Sequence, residues 1–485
     1  MRAIYESTTA GRHSSRWSTA NLSFLAGAGS VLFVWWMQER RRRRDRDQYL
    51  YGLSDDLQLK QDENIVSISD NKCVYLDYNG TTPITSQVLQ AMMPYLTRHF
   101  GNPSSGHVYG QAPRQAMDQA RSQVLQLLGR PTADPSCIWF TACGTESDNM
   151  AIQCAIMANQ HRFDKHNNET KPHIVTSNVE HPAIEVYLQH LEEEGICTVT
   201  YVPVQTDGRV KATDVIAAIT PQTILVTLML ANNEVGALQP VSTVSQYCRQ
   251  QNILFHTDAA QAAGKVSVDL NDALGDADMV TLVGHKLGAP KGVACLYVRS
   301  GCLTQDGRQM PNGKQVLLHG GGQEFGRRAG TPNVPYIVGF GHAAAEAAKR
   351  WPRNAKHMAA CREYLLDMLQ EKLGGSSFVK ANGPTEPHHR LPNTLSVGLR
   401  GVHSGKLLQA VGDRVAASAG ATCHSTESVS AVLKAMNVPI EWARGTLRLS
   451  VGPSSTFPEV EKAAQILADQ VALMREKAVE EPAPK

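Results

Sequence analysis

Asp278-Met-Val-Thr-Leu-Val-Gly-His-Lys-Leu-Gly-Ala-Pro-Lys-Gly292 is the stretch on which the reading of the fold turns. Met279 to Val283 is a short apolar run closed by Gly284, which predicts a buried strand. His285 and Lys286 follow at its end, before a turn rich in Gly and Pro. In an open α/β sheet, ligands bind at the carboxyl ends of strands. A lysine placed there can serve as an amine nucleophile. Read alone, a lysine such as Lys286 is far more often a solvated surface residue.

Three further stretches bear on that choice. In Ile253-Leu-Phe-His-Thr-Asp-Ala-Ala-Gln261 a strand-like run ends on Asp258, with Gln261 three residues later. A carboxylate there can face a cofactor's ring nitrogen and keep it protonated. It can also cap a helix. In Trp139-Phe-Thr-Ala-Cys-Gly-Thr-Glu-Ser-Asp-Asn149, Gly144 and Thr145 fall between a strand-like run and a helical pattern. Their N–H groups suit a phosphate at a helix start, while Thr145 and Asp148 also fit a capping box. Val179-Glu-His-Pro182 offers His181, an imidazole that can lie on a cofactor ring or serve structure alone.

The alternation of elements sets the fold class. Strand-like runs at Thr198–Val204, Thr223–Leu230 and Ile253–His256 alternate with helical patterns at Thr213–Ala218 and Val241–Gln250. That order predicts a mostly parallel sheet with crossover helices. Thr145, Asn233, Asp258 and Lys286 each fall just after a strand. Asn333–Arg350 and Lys356–Leu373 read as two helices, and short strands and helices from Leu395 on read as a smaller α+β lobe.

Together these stretches resemble the cysteine desulfurase and selenocysteine lyase family of class V pyridoxal-phosphate enzymes. The matching segments are Tyr75-Leu-Asp-Tyr-Asn-Gly-Thr-Thr-Pro83, Gly101-Asn-Pro-Ser-Ser105, Cys143-Gly-Thr-Glu-Ser147, Glu180-His-Pro182 and Ala231-Asn-Asn-Glu-Val-Gly236. They continue through His256-Thr-Asp-Ala-Ala-Gln261, Gly284-His-Lys286, Gly320-Gly-Gly-Gln-Glu324, Arg328-Ala-Gly-Thr331, Ala421-Thr-Cys-His-Ser425 and Leu447-Arg-Leu-Ser450. The resemblance implies the aspartate aminotransferase fold: α/β, a large domain with a mostly parallel seven-stranded sheet, and a smaller α+β domain. It implies the cofactor pyridoxal 5'-phosphate, bound through Lys286. Asp258 would face the ring nitrogen and His181 the ring. Asn233 and Gln261 would bond the ring-oxygen side, and Gly144, Thr145, His285 and Thr331 would hold the phosphate. Asn102 and Arg448 would bind substrate, with Arg448 a bidentate fork for its carboxylate. Thr331 would act on a neighbouring subunit, so a homodimer is expected. Val283 departs from the family, where many members carry a phosphate-binding Ser.

Cys423, in the small-residue stretch Ser418-Ala-Gly-Ala-Thr-Cys-His-Ser-Thr-Glu427, is the candidate thiol that takes sulfur or selenium from the substrate. His424 follows it where typical desulfurases carry Ser or Thr, which is closer to selenocysteine lyase. The expected reaction is removal of selenium or sulfur from L-selenocysteine or L-cysteine to give L-alanine, with an acceptor protein as a possible partner. The alternative is a cysteine desulfurase feeding Fe–S clusters or tRNA thiolation, and a remote one is an inactive membrane-tethered scaffold.

The 485 residues carry a formal net charge of +2, with 42% hydrophobic and 19% charged residues, which argues against a nucleic-acid binder. The 10 Cys show no zinc-like spacing, so no metal is expected, and they read as reduced thiols. Residues 1–50 stand outside the enzyme pattern. Trp17 to Gln38 holds no charged residue and ends near Trp35 and Trp36, with Arg40 to Arg44 directly after Glu39. This predicts a membrane anchor with the catalytic part facing the cytosol. A mitochondrial presequence is the alternative, on Arg2, Arg12 and Arg16. Residues 51–72 read as a polar linker, 73–89 as an N-terminal segment of the small domain, 90–335 as the large domain and 336–485 as the small domain.

Overall fold

Seven strands form the central sheet. In chain order they are β2 (Ile138–Thr141), β3 (His173–Ser177), β4 (Thr198–Val202), β5 (Thr223–Thr227), β6 (Leu254–Asp258), β7 (Met279–Val283) and β8 (Ala294–Val298); β1 is the short Val74–Tyr75. This is a computed structural model, and it describes residues 73–163, 170–305, 308–309, 316–419 and 429–480. The anchor and linker readings of 1–72, and Cys423 with His424, lie outside the described residues. Among the described residues, no helix is long and apolar enough to cross a membrane. The described residues fall within one unit, 68–485.

The strand order is β2-β8-β7-β6-β5-β3-β4. Only β8 runs against its neighbours β2 and β7; the other pairs are parallel. β5, β7 and β8 are mostly apolar, as strands buried on both faces require. β3 and β6 are buried at every residue too, yet each carries three polar residues: His173, Thr176 and Ser177 in β3, and His256, Thr257 and Asp258 in β6.

The helices are α1 (Ser86–Thr97), α2 (Val108–Leu127), α3 (Gly144–Asn159), α4 (Pro182–Glu193), α5 (Ala212–Ala217) and α6 (Val241–Gln250). α2 carries Pro113 within its second turn. From β3 the chain passes through α4 outward to β4. From β5 it passes through α6 to β6, in the opposite direction along the sheet. The chain therefore diverges between β3 and β5, and a crevice opens at their carboxyl ends.

β9 (Thr304–Gln305) and β10 (Arg308–Gln309) form a small hairpin, and α7 (Gln323–Gly326) is a single turn inside the Gly-rich loop. The two helices expected around Pro352 are one, α8 (Val334–Leu373), of 40 residues. At 1.5 Å per residue it is about 60 Å long. Proline removes one helical hydrogen bond, but packing on both sides outweighs that loss. Before Pro352, α8 buries Ile337, Phe340 and Ala344 in the core shared with α2 and the sheet. After it, Met358, Leu365 and Leu369 join a second core.

That second core belongs to the small antiparallel sheet, β11 (Val379–Ala381), β12 (Thr394–Leu399) and β14 (Thr446–Ser450). It is completed by α9 (Ser404–Val411), β13 (Val415–Ala416) and α12 (Phe457–Glu480), whereas α10 (Ala431–Ala435) and α11 (Ile440–Ala443) bury Val432, Leu433 and Ala443 in the first core. Val74 and Leu76 are buried there too, with β1 parallel to β13. Residues 77–82 then leave this core and run to the carboxyl edge of the large sheet, where Thr82 bonds the His285 carbonyl. This strap ties the two lobes at the crevice.

Candidate active site

Lys286 lies in a helical turn, Gly284–Lys286, between β7 and its antiparallel neighbour β8. Gly284 is required by close approach: a Cβ there would meet Val293 Cγ1 and the Val293 carbonyl oxygen at 2.9 Å. The turn thus folds tightly onto β8 and aims Lys286 over the sheet edge. Burial pushes the Lys286 pKa down, Asp258 opposes this, and Arg448 adds to it. A larger share of its amine is therefore neutral and nucleophilic near neutral pH.

Asp258 ends β6 and is 8% exposed, and its Oδ1 accepts the Ala260 N–H at 2.8 Å. It caps a local turn, and no helix follows. His181 opens α4, where its Nδ1 accepts the Ala183 N–H at 3.1 Å. Its Nε2 then carries the proton of the neutral ring. Burial keeps that ring neutral by lowering its pKa, against the pull of Asp258. Lys286 and His181 each feel the charge of Asp258, so three strand ends converge on one centre.

α3 begins at Gly144 with Cys143 as its N-cap, and no side chain caps it there. The expected capping box between Thr145 and Asp148 is absent. Glu146 instead accepts the Ala142 N–H at 2.7 Å, and Arg328 pairs with Glu146 at 2.7 Å. Thr145 stays exposed at the helix start. Asp148 turns inward, with its Oδ1 buried and unpartnered. Gly144 faces the departing residue Val283, whose Cγ2 would lie 2.7 Å from a Cβ on Gly144. The free N–H groups of a 16-residue helix therefore open beside Val283 with no side chain between. His285 Nδ1 lies 3.2 Å from Thr81 Oγ1 on the strap, and burial and nearby lysines push its pKa to about 4.

Gln261 is buried, and its Nε2 donates to the Asn79 carbonyl at 3.0 Å. Its Oε1 accepts from Lys265 Nζ at 3.0 Å. Asn79 also donates to the Asn233 carbonyl at 3.2 Å. Arg448 Nη1 donates to the same carbonyl at 3.1 Å, and its Nη2 pairs with Asp77 at 2.9 Å. The structure thus gathers Asn233, Gln261, Lys286, Asp258, His181 and Arg448. Asn102 turns its Oδ1 to its own loop, accepting Ser104 N–H at 2.9 Å, and Thr331 is exposed.

Sequence reasoning missed Asp77, Asn79, Asp148, Glu180 and Lys265. Lys265 is buried and bonded four residues after Gln261, and burial with Lys286 and Arg448 nearby lowers its pKa to about 7. Glu180 accepts from Ser177 Oγ at 2.5 Å and from Met229 N–H at 3.0 Å, and burial lifts its pKa to about 8. Burial and Asp258 raise Asp148 well above the usual carboxylate range. The signals were a dense polar run after β1 and the one-turn spacing from Gln261 to Lys265.

The donor set fits pyridoxal phosphate: an amine with a depressed pKa, a buried carboxylate on the neighbouring strand, and an open helix start at the same sheet edge. The pattern of the family described as Aminotransferase class-V matches residues 74–463. A relative named "Cysteine desulfurase IscS", from Clostridium botulinum, is 37% identical over 408 residues, covering 84% of this chain and 96% of its own length. "Selenocysteine lyase" of Homo sapiens is 39% identical over 433 residues, covering 84% and 94%. Among solved structures, one described as "NIFS-LIKE PROTEIN" superposes with a TM-score of 0.71 at 33% identity, over 83% of this chain and 100% of its own.

Proposed function

The chain belongs to the class V aminotransferase family, and on that premise we propose that it is a pyridoxal-phosphate-dependent lyase acting on L-selenocysteine or L-cysteine. The products are L-alanine and the released selenium or sulfur. The observation that carries this reading is the convergence of Lys286, Asp258 and His181, with Arg448 close enough to depress the Lys286 pKa. Bound pyridoxal phosphate supplies an electron sink for negative charge at the substrate Cα. Asp258 would hold the proton on the ring nitrogen. Lys286 would attach the cofactor through its amine, and the same amine is placed to move the proton at the substrate Cα. His181 would face the ring and, with Nδ1 accepting the Ala183 N–H, offer Nε2–H as its donor. Asn233 and Gln261 would bond the ring-oxygen side. Gly144, Thr145, His285 and a neighbouring subunit's Thr331 would hold the phosphate, so the working form would be a homodimer. Arg448 and Asn102 seat the substrate carboxylate.

Cys423 takes sulfur from the substrate as a persulfide and passes it to an acceptor protein. His424 beside it favours selenium: it lowers the pKa of the thiol that takes the selenium as the Cβ–Se bond breaks and its electron pair stays with the carbon that becomes alanine. Residues 1–50 act as a membrane anchor with the enzyme facing the cytosol, or else as a mitochondrial presequence. The linker is 51–72, the large domain 90–335, and the small domain 336–485 together with 73–89.

The test supplies L-cysteine and L-selenocysteine separately, with dithiothreitol as the reductant that turns the released sulfur or selenium into sulfide or selenide, and measures sulfide, selenide and alanine. Selenocysteine should turn over faster. Cys423→Ala should abolish sulfide release and leave part of the selenide release. Equal loss of both, or faster turnover of cysteine by the parent, moves the assignment to cysteine desulfurase. No alanine from either substrate overturns it. Full-length protein that resists alkaline carbonate extraction from membranes supports the anchor; a mature N-terminus after Arg46 supports the presequence.

A further inference from the structure

Asp77 has no part in the reading above, yet its contacts are specific. Its Oδ1 accepts from Arg448 Nη2 at 2.9 Å, while Arg448 Nη1 donates to the Asn233 carbonyl at 3.1 Å. One acceptor comes from the strap and the other from the segment after β5, so together they fix the guanidinium plane. Arg448 Nε is buried and has no hydrogen-bond partner, in a side chain only 11% exposed. A guanidinium presents Nε–H and one Nη N–H side by side, at a spacing that matches a carboxylate. A bare buried N–H is costly, so this edge suits a ligand's acceptor.

The fold builds the Asp77 contact. The Asp77 carbonyl accepts the Gly80 N–H at 2.9 Å and the Tyr75 hydroxyl at 3.1 Å, which pins its backbone. A parallel bridge between Asp77 and Ser450 sets it against β14, two residues from Arg448. Gly80 leaves space for the carboxylate, because a Cβ there would stand 2.5 Å from Asp77 Oδ2.

We propose that Asp77 is a positioning residue for the substrate's α-carboxylate, holding Arg448 so that its bare Nε–H edge faces the incoming group. The idea rests on Arg448 being the carboxylate clamp of the proposed lyase. Asp77 itself touches no substrate; it acts through Arg448. It makes the site selective for α-amino acids over amines that lack the carboxylate.

The experiment compares Asp77→Ala, Asp77→Ser and Asp77→Asn with the parent holoenzyme. It measures kcat and KM for L-cysteine, and binding of cysteamine, a thiol amine without a carboxylate. Asp77→Ala and Asp77→Ser should raise KM about tenfold and change kcat by less than about threefold, with cysteamine binding unchanged. Asp77→Asn keeps an oxygen acceptor and should recover most of the loss. The second short variant serves should Asp77→Ala not fold. Unchanged KM in the short variants overturns the proposal. So does parallel weakening of cysteine and cysteamine, which marks general damage. Arg448→Ala separates the two levels: if it leaves KM unchanged, the clamp assignment itself fails.

Discussion

Lys286 on the large-sheet edge and Arg448 on the small antiparallel sheet are cations of one site, but their surroundings differ in kind. Lys286 is surrounded so that desolvation dominates and its pKa falls. Arg448 has direct acceptors, Asp77 at 2.9 Å and the Asn233 carbonyl at 3.1 Å. A nucleophilic amine must shed its proton, whereas a carboxylate fork must stay charged. The sheet edge strips water from its groups, and the strap offers acceptors within bonding distance. The acids of the sheet edge follow the same rule. Glu180 and Asp148 are driven toward their protonated forms by burial, and the charge of Asp258 adds to it.

The hardest test of this contrast removes the amine. Lys286→Ala should cut alanine formation by about a thousandfold or more, and borohydride should no longer attach the cofactor to the chain. Cofactor still bound covalently at that level would break the contrast. Asp258→Asn comes next, because it removes the buried charge that opposes the fall in the Lys286 pKa. Activity should drop about a hundredfold, and the pH at which the rate rises should move lower, as the Lys286 pKa loses its upward pull. An upward move would show that Asp258 does not act on Lys286.

On the other side, Arg448→Lys keeps the charge and loses the fork. KM for L-cysteine should rise about tenfold with little change in kcat. Equal loss in kcat would place Arg448 in the chemistry rather than in binding.

The smallest effect concerns Glu180 and stability. Its pKa is about 8 when folded, against an ordinary 4.5, so between those values the folded state holds an extra proton. Stability of the parent should therefore fall as pH rises through that window. Glu180→Gln copies the protonated acid: its oxygen can accept Met229 N–H and its amide can donate to Ser177 Oγ. Relative to the parent, the variant should gain about 1–3 kcal/mol from pH 4.5 to about 8 in denaturant unfolding. A parent with no loss across that window would show that Glu180 stays ionised.

Local pattern was enough for much of the large lobe. Met279–Val283 is the strand expected, because four of its five residues are apolar and all five are buried. Lys286 and Asp258 could be singled out because each lies at or just past the end of a strand-like run, and His181 because it stands in the Glu180-His-Pro182 motif. α8 was misjudged as two helices, since Pro352 is a local breaker and the two cores that hold the helix together are made by residues far away in sequence. Asp148 was mistaken for a cap for the same reason: its spacing fits one, but its side chain points to β6 and β7, which sequence cannot place.

The residue types and their order determined by themselves the α/β class and the family, and they singled out Lys286 as the candidate nucleophile, because strand ends and glycine turns are local features. Tertiary structure alone decided that Asp77 meets Arg448 across 371 residues of chain and that Asn79 meets Gln261 across 182. It also decided that a second lysine, Lys265, is buried beside them. Such contacts depend on how two lobes close on one crevice, and the energy of a long-range hydrogen bond leaves no periodicity in the chain that makes it.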